Sequence, residues 1–242
     1  MENSKLNNLL MASLVLGVSL IIGTFLVSQS FVSVKKLNDT LTVSGSAKEK
    51  VVSDSAKWHA LFTRNVFLTD IKNGYSLMKK DEALVNKFLK NSGLKPEEID
   101  ISAVTMNQIY KNDQNAPLEY TLQQTVEVNS SDVAKITDLT KNTQPIIDQG
   151  VIFSTQSVEY FTSQLPALRV SLLTNAIKDA KDRAAKIAES SGKKVGAIQS
   201  ASMGVVQVMP INSVDISDYG NYDTSTIDKE VMVTVKTIFR LE

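Results

Sequence analysis

The segment NAIKDAKDRAAKIAESSGKKVG, Asn175–Gly196, decides how the fold is read, because its smallest side chains fall in one row. Ala176, Ala180, Ala184 and Ala188 recur at every fourth position. On an α-helix that spacing is a ridge that lets another element approach at the short end of the usual packing distance. Three readings compete: close packing on the protein's own sheet, a helix–helix seam in an oligomer, and plain helix propensity. Leu173, Ile177 and Ile187, with Val170, lie close to the row and mark it as a core-facing stripe, which favours intramolecular packing. Asp179–Arg183 and Asp182–Lys186 are acid-before-base pairs four apart, as on a solvated face. The helix is read over Leu165–Ser191 and closed by Gly192.

Outward from this helix the chain reads mostly as alternating strands. In Val51–Asn65, Ala56, Trp58, Ala60 and Phe62 alternate with Lys57, His59, Leu61 and Thr63, and a shorter strand, Leu41–Gly45, precedes it. Asp70–Ser92 reads as a helix whose apolar stripe of Ile71, Tyr75, Met78, Val85 and Leu89 is interrupted by Asp81 and Glu82. Strands follow at Ile99–Ala103 and Tyr120–Val128, joined by a polar loop around Asn112–Pro117. Ser131 is placed to cap a second helix, which turns Val133, Ile136 and Leu139 inward and ends or kinks at Pro145. Further strands are read at Val151–Phe161, Val195–Ala201 and Val205–Met209. After a polar stretch, Ile211–Asp228, a last strand turns Val231, Val233, Val235, Phe239 and Leu241 to one face. The expected class is α+β: mainly antiparallel sheets with one polar face, packed against about three helices.

The N-terminus carries a different signal. No charge occurs from Leu6 to Val34, and LLMASLVLGVSLIIGTFLV, residues 9–27, would form a helix of about 28 Å, near the thickness of a bilayer's hydrocarbon. Residues 1–36 are therefore expected to be a membrane anchor, with a cleaved signal segment as the alternative, and 37–242 the folded domain. Lys35 and Lys36 after the segment favour a cytoplasmic C-terminal domain by the positive-inside rule, although long domains translocate largely regardless of charge. The 26 basic and 26 acidic residues balance; without Lys5, Lys35, Lys36 and Glu2 the remainder holds 23 and 25. That balance argues against a nucleic-acid partner. Cysteine is absent, so disulfides and thiolate metal sites are excluded.

Two motifs carry a family resemblance. Val43-Ser44-Gly45 followed by Asp54-Ser55-Ala56 resembles the opening of SIMPL-domain proteins. Ala176-Ile177, Ala180, Arg183-Ala184, Ile187-Ala188, Gly192 and Val195-Gly196 resemble that family's helix-to-strand signature, and Asp148-x-Gly150 before a Phe-containing strand fits between them. The resemblance spans roughly Asp39–Met209 and departs in the loops Asn112–Pro117 and Ile211–Asp228. It implies a bacterial envelope protein, single-pass in the inner membrane with its domain facing the periplasm. It also implies a tendency to ring-like homo-oligomers and no established enzymatic activity. The reading is a structural or interaction module with unknown protein or small-ligand partner; the alternative is a periplasmic small-ligand-binding or stress-protection protein.

Candidate chemistry is sparse. His59, the single histidine, sits on a polar strand face and lacks the companions a zinc site needs. Asp215, Asp218, Asp223, Asp228 and Glu230 do not follow calcium-loop spacing and read as a solvated loop. Gly192-Lys193-Lys194-Val195-Gly196 has helix before strand, the reverse of a phosphate-binding loop, and reads as a helix cap. No catalytic, cofactor-binding or metal residue is assigned, and no cofactor is expected.

Overall fold

A computed structural model describes residues 2–37, 39–113 and 116–242, with side chains in the first stretch described at 11 and 14–30. Helix α1 spans Glu2–Leu37. Every large apolar side chain described on it, from Met11 to Val27, is exposed. The expected span 9–27 includes Leu9, Leu10, Ala12 and Ser13, whose side chains lie outside the described residues. Among the described residues, no helix is long and apolar enough to cross a membrane. The loop expected at Asn112–Pro117 likewise includes Gln114 and Asn115, which are not described.

The remaining elements follow in chain order. Strands β1 (Thr40–Val52) and β2 (Ser55–Phe67) precede helix α2 (Ile71–Asn91) and strands β3 (Ile99–Ile101), β4 (Thr105–Ile109) and β5 (Glu119–Ser130). Helices α3 (Val133–Lys141) and α4 (Gln144–Ile147), strand β6 (Ile152–Phe161) and helix α5 (Leu165–Ser190) come next. Strands β7 (Val195–Met203), β8 (Gln207–Pro210), β9 (Asn221–Tyr222) and β10 (Asp228–Leu241) complete the chain. The class is α+β: β10 pairs antiparallel with β7 and β8, β2 with β5 and β6, and β5 with β3 and β4, whereas β8 and β9 run parallel. The chain forms two compact units: Met1–Ala47 with Leu173–Gly204 and Val233–Glu242, and Lys48–Leu172 with Val205–Met232.

In the larger unit, β2 is the centre of a sheet ordered β3-β5-β2-β6, with β4 extending along β5 beyond β3. The period-two reading of β2 holds: Ala56, Trp58, Ala60 and Phe62 are all buried. They form one core with Met78, Val85 and Leu89 of α2, Ile136 of α3 and Ile146 of α4. Trp58 meets Phe153 of β6 edge-on at 5.8 Å, a favoured aromatic geometry. The strand boundary before β2 differs from expectation. β1 continues through Val52, and the chain turns at Ser53–Asp54. There Ser53 N–H donates to Ile227 O and Asp54 N–H to Phe161 O, each at 2.9 Å, which fixes the turn. The α3 cap is Asp132, whose carboxylate accepts Lys135 N–H at 3.0 Å, because the helix starts one turn position later than Ser131 would require.

In the smaller unit, the alanine row is buried: Ala176, Ala180, Ala184 and Ala188 are at most 1% exposed. The first three pack with Val43 of β1 and Val235 and Phe239 of β10. The supporting stripe is narrower than expected, since Val170 is exposed and Ile187 is 49% exposed. A row of every fourth residue drifts by about 40° per turn around a 3.6-residue helix. By the last turn the buried direction has rotated away from Ile187. α5 ends in a Schellman arrangement: Lys193 N–H donates to Ala188 O at 2.9 Å and Gly192 N–H to Glu189 O at 3.0 Å, with Gly192 at φ 71°.

The ridge is tight because β1 crosses it at Gly45. A Cβ there would lie 2.8 Å from the Ala180 methyl and overlap the Ala176 carbonyl oxygen. Gly45→Ala should therefore cost at least about 1–3 kcal/mol, and Ala184→Leu a similar amount, by overpacking. Thermal or urea unfolding of the two variants checks this. An unchanged midpoint for either would show that the seam has slack.

Candidate functional site

The residues that carried the family likeness each have an architectural partner. Beyond Gly45, the N–H of Ser46 donates to Asp179 Oδ2 at 2.8 Å, and Arg183 Nε donates to the same carboxylate at 3.0 Å. The Ser46 N–H, with help from Arg183, holds the Asp179 carboxyl below its usual range. The helix pair Asp179–Arg183 thus also ties β1 to α5. In the larger unit, Asp54 accepts the Ser163 N–H on both oxygens, at 2.9 and 3.1 Å, and the Ser163 hydroxyl at 2.5 Å. Asp148 accepts from Gln144 Nε2 at 2.7 Å, and Gly150 takes φ 84° to turn the chain into β6.

His59 is half-buried on β2, with Nδ1 3.7 Å from Glu127 Oε2; the other Glu127 oxygen holds Lys57 at 2.8 Å. Lys57 first, then Asn129, draw the Glu127 carboxyl below its ordinary range. His59 therefore sits beside a surface ion pair, Lys57–Glu127, that links β2 and β5. The five acids of the late polar stretch do not gather: Glu230 pairs with Lys48 at 2.7 Å and Asp223 turns inward. Among the described residues, no three His, Cys, Asp or Glu side chains are grouped to hold a metal.

Two buried ion pairs were not read from the sequence. Asp81, nearly fully buried on α2, is held in a two-pronged contact by Arg64 of β2, with Nη2–Oδ1 at 2.8 Å and Nε on Oδ2. The signal was there: Asp81 falls in phase with Met78 and Val85, and a charge in a buried stripe requires a partner. The second pair lies at the end of the polar stretch. Lys229 is 0% exposed, and its ammonium donates to Asp223 O at 2.6 Å and Oδ2 at 3.3 Å. Its parity on β10 is that of Val231 and Val233, the inward face. Burial pushes the Lys229 ammonium below its ordinary value, and Asp223 offsets this only in part. Burial also opposes ionisation of Asp223. The hydroxyls of Ser225 and Thr226, the Ser225 N–H and Lys229 more than reverse that, leaving its carboxyl far below the usual range. The stretch read as a solvated loop is thus pinned at its end. Tyr160 N–H donates to Thr224 O at 2.7 Å, Asp223 N–H to Val208 O at 2.9 Å, and β9 pairs with β8.

One cleft of about 460 Å³ is lined by Ser55, Lys57, Glu98, Asn129, Ser130 and Phe161, among others. Its carboxylate is engaged: Glu98 accepts the Lys95 N–H at 2.7 Å and the Ser130 hydroxyl at 2.6 Å, and these bonds keep it ionised. The cleft offers hydroxyls, an amide and a lysine, with no nucleophile–base pair among them.

Gly45 and the alanine row serve packing, Asp54 holds the Ser163 N–H, and Gly150 serves turn geometry. Residues 41–239 match the SIMPL family, described as a protein of unknown function (DUF541), and the chain belongs to that family. No curated protein matches the chain.

Removing one member of a buried ion pair leaves the other uncompensated. Arg64→Leu strands a carboxylate with almost no solvent access, whereas Asp81→Leu leaves an arginine that is 28% exposed. Arg64→Leu should cost about 3–5 kcal/mol and Asp81→Leu distinctly less; equal losses in urea unfolding would contradict the asymmetry. For Asp223, the folded chain holds the proton less tightly than the unfolded chain. Its contribution is therefore complete above the ordinary carboxylate range near pH 4 and is lost as pH falls below it. Melting curves between pH 6 and pH 2 should show a shallower acid decline for Asp223→Asn than for the unsubstituted protein.

Proposed function

We propose that this SIMPL-family chain is a membrane-anchored envelope protein whose folded part, outside the cytoplasm, acts as a non-enzymatic interaction module and works as a homo-oligomer. The observation that carries the anchor is α1. Its described side chains from Leu14 to Val27 present apolar groups on every side, and they are exposed. A helix apolar all round belongs in a protein core or in lipid. Here no described core covers it. The flanking Lys35 and Lys36 suit a helix end at the headgroup level. The extracytoplasmic orientation rests on family likeness, and the lysine count opposes it.

Support for a non-enzymatic role comes from what the signature positions do. Gly45 and the alanine row are committed to packing, Asp54 to the Ser163 N–H, and Asp148 and Arg183 to side-chain partners, Gln144 and Asp179. A small-ligand role is the second reading, favoured by the cleft beside Ser55 and Ser130; a ligand-dependent rise in melting temperature would support it. The anchor and its orientation are tested by protease protection in intact and outer-membrane-permeabilised cells. The folded part should remain in the membrane fraction after carbonate washing. It should be digested once the outer membrane is opened, with the inner membrane sealed. Release by carbonate would remove the anchor; protection until the inner membrane is breached would reverse the orientation.

A further inference from the structure

β7 is an edge strand. Among the described residues it pairs only with β10, and every residue from Ala197 to Met203 is exposed. Its register with β10 shows which groups face out. Gly204 N–H donates to Thr234 O at 2.9 Å, and Met203, Ser202, Ala201 and Ser200 oppose Val235, Lys236, Thr237 and Ile238. Antiparallel ladders alternate between bonded and non-bonded pairs. Since Gly204 is bonded to β10, so are Ser202 and Ser200. The N–H and C=O groups of Ala201 and Met203 then point away from the sheet.

Two register shifts interrupt the pairing, between Ile238 and Phe239 and between Phe239 and Leu241. Bulges commonly protect edges by twisting them. Here they have a second effect. Ile198 lies opposite Phe239, and Val195 opposite Leu241. Spacings of three from Val195 to Ile198 and from Ile198 to Ala201 would flip the side chains in a regular strand. The bulges bring Val195, Ile198, Ala201 and Met203 onto one face, in line with Leu241, Phe239, Thr237 and Val235. Val195 packs against the core under α5, whereas Ile198 and Met203 are 46% and 50% exposed. The inner face of the sheet thus continues past its covering helix as an apolar row beside an open edge. Ser200 and Ser202 lie on the opposite face, with Lys236.

We propose that this edge pairs antiparallel with β7 of a second copy of the chain, about a two-fold axis at Ala201. This rests on the homo-oligomer reading above and names its seam. That register joins the outward groups of Ala201 to their symmetry mates and sets Met203 against the second copy's Gln199. Ser202 meets the second copy's Ser200, and the two apolar rows run on into one. Val195–Met203 contains no charge and no proline, two of the devices that commonly keep an edge from pairing with itself, and the stretch Ala201–Met203 lies clear of the bulges. A short seam of this kind is weak in dilute solution, and sharing a membrane raises the effective concentration at which it forms.

The absence of native cysteine makes the test clean. In membranes carrying the full chain, Ala201→Cys should give an oxidised band at twice the chain's mass, because two-fold-related residues sit about 5.5 Å apart. Ile187→Cys, exposed on α5 of the same unit, should give at least about tenfold less. Ala201→Pro removes only an outward N–H, which edge strands tolerate; it and Ala201→Lys should weaken association about tenfold or more in detergent, with the melting temperature little changed. Association that survives both substitutions, with no Ala201→Cys dimer, keeps the oligomer reading and overturns β7 as its seam. A chain that is monomeric at every concentration and uncrosslinked in membranes overturns both. A crosslinked band of any other mass assigns the edge to a different partner and overturns the proposal.

Discussion

In the smaller unit β1 comes so close to α5 at Gly45 that a Cβ there would overlap the Ala176 carbonyl oxygen, and the alanine ridge permits that approach. Glycine on the strand and alanine on the helix remove the side chains that would otherwise hold the two backbones apart. Several features follow from that approach. A ridge of every fourth residue wraps around the helix, so the buried line runs from Ala176 to Ala188 while Ile187 beside it faces out. The close approach also brings the Ser46 N–H within 2.8 Å of Asp179, so one carboxylate serves both the strand and the helix pair with Arg183. Small residues give little apolar area of their own, and Val43, Val235 and Phe239 supply it.

The larger unit is built differently. Its core is filled by large side chains, Trp58, Phe62, Met78 and Leu89 among them, and its specificity comes from charges placed inside. Two carboxylates, Asp81 and Asp223, are withdrawn from water, and each is met by a cation and further donors or neighbours of its own. Such pairs add little net stability over well-packed apolar residues. Their consequence is positional: α2 can rotate only at the cost of separating Asp81 from Arg64, and the chain before β10 can lift only by exposing or stranding Lys229. Asp223 stays ionised because four local donors favour its anion despite burial.

The parts that were legible in the sequence are those governed by periodicity. Alternation found the inward face of β2 and of β10, and the four-residue repeat found the ridge of α5. Each is a property of one segment. What escaped depends on a second segment far away in the chain. Asp81 looked like a flaw in an apolar stripe because Arg64, its partner, lies on another element. The break between β1 and β2 lies at Ser53–Asp54 and not before Val51, because Ile227 and Phe161 supply the bonds that fix it. Asp223 and Lys229 sat within and just after a stretch whose composition is that of a solvated loop. Only the parity of Lys229 with Val231 marked it as inward. The family likeness was legible because its signature holds a glycine, an alanine row and turn residues that constrain local geometry wherever the rest of the chain goes.

That same architectural character bears on what kind of protein this is. A signature made of catalytic groups would place unpaired, titratable side chains around a cleft. Here the signature carboxylates of Asp54 and Asp148, and that of Asp179 between two signature positions, each accept hydrogen bonds from nearby backbone or side-chain donors. The lone histidine sits beside the Lys57–Glu127 ion pair, and Glu98 in the cleft beside Ser55 and Ser130 is bound to a backbone N–H and a serine. The features left without an internal explanation among the described residues are of another type: an apolar helix with no described core around it, and a strand edge whose bulges align an exposed apolar row. Both are surfaces, the kind of feature that the contact role proposed above would use.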